Sequence, residues 1–138
     1  MDGLSAVNLG EKGRGVIAER KFKKGEFVVE YEGELIDNIT AKDREEQYEN
    51  QHAGCYMYYF SHNEKKYCID ATAESEKLGR LINHSKSDPN CFSKLIVIDD
   101  HPHLFFIAGR NINIGEEFLY DYGDRSKKSV INNPWLAK

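Results

Sequence analysis

Short apolar runs separated by turn residues dominate the chain, and runs of that length predict strands. Val16-Ile17-Ala18 follows a glycine-rich turn, and Phe27-Val28-Val29-Glu30-Tyr31-Glu32-Gly33 reads as a β-rich run after the basic turn Arg20 to Lys24. Cys55 to Phe60 and Lys66 to Asp70 pattern as a hairpin closed through Ser61 to Lys65, and Leu95 to Ile98 and Leu104 to Ala108 as a second pair joined through Asp99 to His103. Ile114-Gly115-Glu116-Glu117 turns the chain into a last strand ending at Tyr120-Asp121-Tyr122-Gly123. Two stretches break this rhythm. Thr40-Ala41-Lys42-Asp43 resembles a capping box with Thr40 as N-cap, which predicts an exposed polar helix through Asn50. Leu78, Leu81 and Ile82 have helical spacing, so a short helix from Glu74 to Leu81 would deliver Asn83 and His84 at its end. The fold class expected is mainly β with short helices.

Composition narrows this picture only a little. A length of 138 residues fits one domain. Nineteen basic against twenty-three acidic residues give a charge of −4, which argues against whole-surface affinity for nucleic acid and suits a basic peptide as partner. No run approaches the ~18 apolar residues of a membrane span, and the N-terminus lacks the apolar segment of a secretory signal, so a soluble, intracellular protein is expected. The three cysteines, Cys55, Cys68 and Cys91, are widely spaced without a CxxC, which favours reduced thiols over disulfides. The same spacing disfavours a zinc site built from them with His52 or His62.

Candidate chemistry concentrates in a few stretches, each with a plainer explanation beside it. Gly10 to Gly15 carries three glycines in six residues, so its backbone can approach a ligand closely; it can equally be a flexible connection, being neither a phosphate loop nor a dinucleotide fingerprint. Leu81-Ile82-Asn83-His84-Ser85 sets ligand-bonding side chains directly after a buried apolar pair, although an Asn-His pair at a helix end is more often a cap. Tyr120 and Tyr122 stand one residue apart and line one wall of a cavity if the strand stays regular. Tyr58, Tyr59 and Tyr67 read as ordinary β-core tyrosines with hydroxyls toward solvent, and Tyr56 less firmly so. Pro134-Trp135-Leu136 anchors an otherwise polar tail and could also cover a ligand.

Taken in order, Gly13-Arg14-Gly15-Val16, Leu81-Ile82-Asn83-His84-Ser85 with Pro89-Asn90-Cys91, and Gly115-Glu116-Glu117 leading into Tyr120-Asp121-Tyr122-Gly123 resemble the motifs of the SET-domain protein lysine methyltransferases. The likeness runs from about residue 12 to the C-terminus. Cys55 to Phe60, Leu78 to Lys86, Leu119 to Lys127 and Pro134-Trp135-Leu136 are similar, more narrowly, to the enzymes that monomethylate lysine-20 of histone H4.

The resemblance implies several small curved sheets with a threaded, knot-like C-terminal segment, divided as an N-terminal flank (1–11), a catalytic domain (12–123) and a cofactor-covering tail (124–138). It implies S-adenosyl-L-methionine as methyl donor, with Lys12, Gly13, Arg14, Tyr56, Asn83 and His84 as cofactor contacts and Trp135 over the adenine. Tyr31, Cys55, Tyr120 and Tyr122 would line a lysine channel, Tyr122 aiming its hydroxyl at the reacting centre. In the wider family the Tyr120 position is a phenylalanine-or-tyrosine switch, tyrosine favouring a single methyl. The implied partner is the histone H4 tail within nucleosomes, with weak DNA contact through the basic turns, in a nuclear, chromosome-bound monomer. Two departures stand out. Asp124-Arg125-Ser126-Lys127 leads into a cysteine-free tail where many members carry a zinc cluster, so no metal is expected, and Lys86 replaces a common cysteine.

The chemistry can also be reasoned without the family. The attacking amine must be neutral, yet a free lysine has a pKa of about 10.4, so neutralising it at pH 7 costs roughly 4–5 kcal/mol. An apolar aromatic channel lowers that pKa by desolvation, a nearby sulfonium lowers it further, and a channel admitting only an extended lysine supplies the alignment. A methyltransferase for a non-histone protein is a rival reading. A binding module is another, because a cage of tyrosines can hold methyl-lysine by cation–π attraction without reacting. A first motif so near residue 12 suggests a catalytic piece of a longer protein.

Overall fold

The computed structural model describes residues 3–51, 55–73 and 76–121. Ten strands and a single α-helix are found among them: β1 (Leu4–Asn8), β2 (Arg14–Ala18), β3 (Phe27–Glu30), β4 (Glu34–Asp37), α1 (Asn38–Asn50), β5 (Met57–His62), β6 (Lys65–Asp70), β7 (Asn83–His84), β8 (Cys91–Ile98), β9 (His101–Ala108) and β10 (Leu119–Tyr120). They form three small sheets, β1-β2, β4-β6-β5 and β3-β9-β8-β10-β7. The mainly-β expectation therefore holds. Residues 4–8, which the sequence suggested were a flank, pair with β2 from Leu4↔Ala18 to Asn8↔Arg14.

Both hairpins close more tightly than the pattern suggested. Asn63 and Glu64 have φ of 51° and 64°, and Asp99 and Asp100 have 50° and 65°, so two left-handed residues make each turn and the strands run right up to it. The 99–103 connection expected from sequence is thus a two-residue turn, with Pro102 inside β9 opposite Val97. The helix also begins earlier than Thr40. Asp37, still extended, accepts from the Thr40 backbone N–H at 2.7 Å, which makes Asp37 the cap and puts Thr40 in the first turn.

The three-stranded sheet is apolar on both faces, because alternation sends successive residues to opposite sides. Tyr58, Phe60 and Ile69 join the main core, whose large fully buried side chains include Phe22, Phe106 and Phe118. Met57, Tyr59, Cys68 and Ile36 pack instead with Ala41 of α1. Each large side chain taken wholly out of water contributes about 1.5–3 kcal/mol.

The expected helix ending at Leu81 is, in its described part, only a 3-10 turn over Gly79–Leu81, and Asn83–His84 is a strand. The cause lies at Gly79: a side chain there would run into the Glu30 carbonyl, so the segment lies against the backbone after β3. β10 then runs parallel between β7 and β8, with Leu119 opposite Asn83 and Tyr120 opposite both His84 and Cys91. The 85–90 connection closes around it. Ser85 N–H donates to the Tyr120 carbonyl at 2.9 Å, Asn90 N–H to the Leu119 carbonyl at 2.9 Å, and the Asn90 side chain bonds Leu119 N–H and the Glu117 carbonyl at 2.8 Å each.

Candidate functional site

Two groups of residues meet where β10 passes between β7 and β8. The first is aromatic. Tyr31 follows β3, Tyr58 lies on β5, Phe106 on β9 and Tyr120 on β10, and all four are buried. Tyr120 packs on Phe106 with centroids 4.7 Å apart and stacks near-parallel on Tyr58 at 6.0 Å, while Tyr31 meets Tyr58 at 5.6 Å and Phe106 at 6.2 Å. Each contact lies in the range where offset or tilted rings attract. Burial drives the Tyr120 hydroxyl far above its ordinary pKa, so it stays protonated. Burial likewise raises Tyr58, partly offset by its hydrogen bond to Ser93 Oγ.

The second group is polar and lies at the neighbouring position of the same strand pair. The Asn83 carboxamide donates to the Arg14 carbonyl at 2.9 Å and to a Glu117 carboxylate oxygen at 3.0 Å. It thereby ties the glycine-rich turn to the strand before the tyrosine. Gly15 permits that approach: an added Cβ would meet Leu9, and would stand 2.8 Å from Glu117 Oε2 and 2.9 Å from Asn83 Nδ2. His84 is buried, with Nδ1 4.0 Å from an Asp121 carboxylate oxygen. Gly13, at φ 81°, is exposed with open space where a side chain would be, and Arg14 is exposed beside it. The backbone of Lys12 ends the 3-10 turn before them.

Tyr56 packs against the main core and lies beneath a residue the sequence reading passed over. The guanidinium of Arg80, itself 3 % exposed, lies 4.1 Å from the Tyr56 ring centroid. It donates to the Ala71 carbonyl at 2.6 Å and the Thr72 carbonyl at 3.2 Å. A charge so deeply placed is tolerated because carbonyl oxygens and a ring face replace its water. Cys55 is placed differently: it packs against the smaller cluster with Tyr59, Met57 and Cys68, while Tyr31 and Tyr120 belong to the main core. Burial pushes its thiol up to about 11.

Of the residues singled out from sequence, the structure thus brings together Tyr31 and Tyr120 through Tyr58 and Phe106, and Asn83 with the Arg14 backbone, while His84 stands next to Asn83 on β7 with its ring near Asp121. Tyr122 and Trp135 lie outside the described residues, and β10 as described ends at Tyr120, so the shared wall for Tyr120 and Tyr122 falls outside them as well. Tyr58 and Phe106 were missed as site residues. Glu117 was visible only as part of the Gly-Glu-Glu turn.

Asn83 thus joins the glycine-rich turn to Glu117, one strand position from a closely packed cluster of four aromatic rings. Residues 13–123 match the SET domain, and the chain belongs to that family. It is 57 % identical over 136 residues to an N-lysine methyltransferase KMT5A of Xenopus tropicalis, covering 98 % of this chain and 40 % of that protein. It is 53 % identical over 137 residues to the histone-lysine N-methyltransferase Set8 of Drosophila melanogaster, covering 99 % of this chain and 20 % of that protein. A crystal structure of SET8 from Cryptosporidium superposes with a TM-score of 0.83 at 48 % identity, over 89 % of this chain and 58 % of that one. The chain therefore spans less than two thirds of the length of each of these relatives.

Proposed function

We propose that this chain is the catalytic domain of a protein-lysine N-methyltransferase that transfers one methyl group from S-adenosyl-L-methionine to a lysine of the histone H4 tail, lysine-20 being the expected position. The buried box of Tyr31, Tyr58, Phe106 and Tyr120, set one strand position from Asn83 and the Arg14 turn, carries this reading. The donor would lie against Lys12, Gly13, Arg14, Tyr56, Asn83 and His84, with Trp135 over its adenine, and when bound it would supply an electrophilic methyl on a cationic sulfur. Arg14 would meet an anionic group of the donor, and the Asn83 side chain, by bonding the Arg14 carbonyl, supports this reading of the turn.

The chain's own residues account for the rest of the chemistry. The aromatic box excludes water from a lysine side chain and so favours its neutral form, which lowers the roughly 4–5 kcal/mol needed at pH 7. Tyr31 and Tyr120 confine the amine, the Tyr120 hydroxyl remaining protonated and able to hold a water where a second methyl would sit. Tyr122 completes the alignment. Cys55 would contribute to the channel only from its outer side, given where it packs.

The partner follows from the same reading: a basic histone tail presented in a nucleosome, with the basic turn at Arg20 to Lys24 near DNA, in a nuclear monomer. The aromatic box alone would also suit a methyl-lysine binding module, but such a module has no use for the Arg14–Asn83–Glu117 edge. Incubating the purified chain with S-adenosyl-L-methionine and reconstituted nucleosomes, then locating and counting methyl groups by mass spectrometry, tests the proposal. One methyl on H4 lysine-20 is the expected result. Methylation of another protein only, or none by a folded chain, would overturn it.

A further inference from the structure

We infer that Tyr58, tethered by Ser93, is a positioning residue that sets where the Tyr120 ring stands, and so is a second determinant of how many methyl groups the amine receives. This rests on the methyltransferase reading above. Tyr58 and Phe106 each touch both Tyr31 and Tyr120, so these two rings span the gap between the proposed channel walls. Phe106 is fully buried and held by packing alone. Tyr58 comes from a different sheet and carries a hydroxyl, which bonds Ser93 Oγ. Ser93 is itself the cross-strand partner of Phe106. One rung of the β8–β9 hairpin therefore fixes both bridging rings. The near-parallel stack, 18° between planes, transmits the Tyr58 position to Tyr120.

Freeing Tyr58 lets the Tyr120 ring shift, and the space that its hydroxyl and a held water deny to a methylated amine opens. A hydroxyl pair of this kind is worth enough to change the ratio of second to first methylation roughly two- to tenfold. Because the two hydroxyls act as one tether, breaking either end has the same effect as breaking both.

The test compares wild type, Tyr58→Phe, Ser93→Ala and the double variant on an H4-tail peptide with S-adenosyl-L-methionine, the products being counted by mass spectrometry and the cofactor Kd measured by calorimetry. Each single variant is expected to raise the dimethyl-to-monomethyl ratio about two- to tenfold, the double no further, with the cofactor Kd unchanged. A wild-type product ratio in both single variants, or effects that multiply in the double, would overturn the inference. Should Tyr58→Phe not fold, Ser93→Ala alone decides it by the same ratio. A wild type that forms no methyl-lysine is a separate outcome: it removes the methyltransferase reading and this inference with it.

Discussion

The side chain of Asn83 holds the backbone of Arg14, donating to its carbonyl oxygen at 2.9 Å across 69 positions of chain. The same amide bonds Glu117, so three distant stretches meet at one carboxamide. Asn83→Ala removes both bonds and leaves a part-buried carboxylate without that donor. At about 1 kcal/mol for each lost bond, cofactor affinity is expected to fall roughly ten- to thirtyfold. Calorimetric titration with S-adenosyl-L-methionine measures this, and an unchanged Kd would separate Asn83 from the cofactor edge.

Gly15→Ala attacks the same junction from the other side. The added methyl would press on Leu9, Glu117 Oε2 and Asn83 Nδ2 together. Overpacking of this kind costs about 1–3 kcal/mol, which in a domain of this size lowers Tm by several degrees. Scanning calorimetry should show that drop, with cofactor affinity falling alongside it; a variant as stable as wild type would mean the junction yields easily.

Tyr120→Phe keeps the ring contacts to Phe106 and Tyr58 and deletes only a buried hydroxyl. The fold should be retained, and product should move toward dimethyl-lysine while turnover persists. Mass spectrometry of the products distinguishes this from a variant that still stops at one methyl.

His84→Ala removes a buried ring from the strand facing Tyr120. Weaker cofactor binding by calorimetry is expected, about tenfold for the loss of roughly 1.4 kcal/mol of support. Binding as tight as wild type would remove His84 from the cofactor side of the site.

Asp70 links stability to acid. Burial alone would raise its carboxyl, but bonds from Tyr48 at 2.7 Å, Thr72 N–H at 3.0 Å and Arg44 at 3.1 Å outweigh burial and hold it below its ordinary value. A lowered folded pKa contributes stability above the unfolded value of about 4, which is lost as the pH falls through the folded one. Asp70→Asn is therefore expected to be less stable than wild type by about 1–3 kcal/mol at pH 7, with the gap narrowing below about pH 4. Denaturant unfolding at both pH values tests this; a gap that stays constant would contradict it.

Much of this architecture was written in local pattern. The two aromatic hairpins, the polar helix and the ordered motifs were legible because strand alternation and turn residues act over a few positions. Tyr58 was not, and the reason is geometric. Its strand is buried on both faces, so Met57 and Tyr58 are equally apolar in sequence yet serve different cores, and no local rule says which face meets Tyr120. Asn83 and His84 were singled out as candidate ligand-bonding groups but given a helix end, because their strand exists only by pairing with Leu119 and Tyr120, far along the chain. Arg80 gave no signal beyond its place in a motif. A buried guanidinium is identified only by the carbonyls that receive it.

The placement of β10 bears on how the molecule is made. A ribosome delivers β7 and β8 well before Leu119 and Tyr120, yet those two late residues occupy the seam between them. Until they arrive β7 has no strand joining it to β8, and long-range closure of this sort is slow. A chain released before position 119 would leave β7 detached from the sheet and one side of β8 without its neighbour.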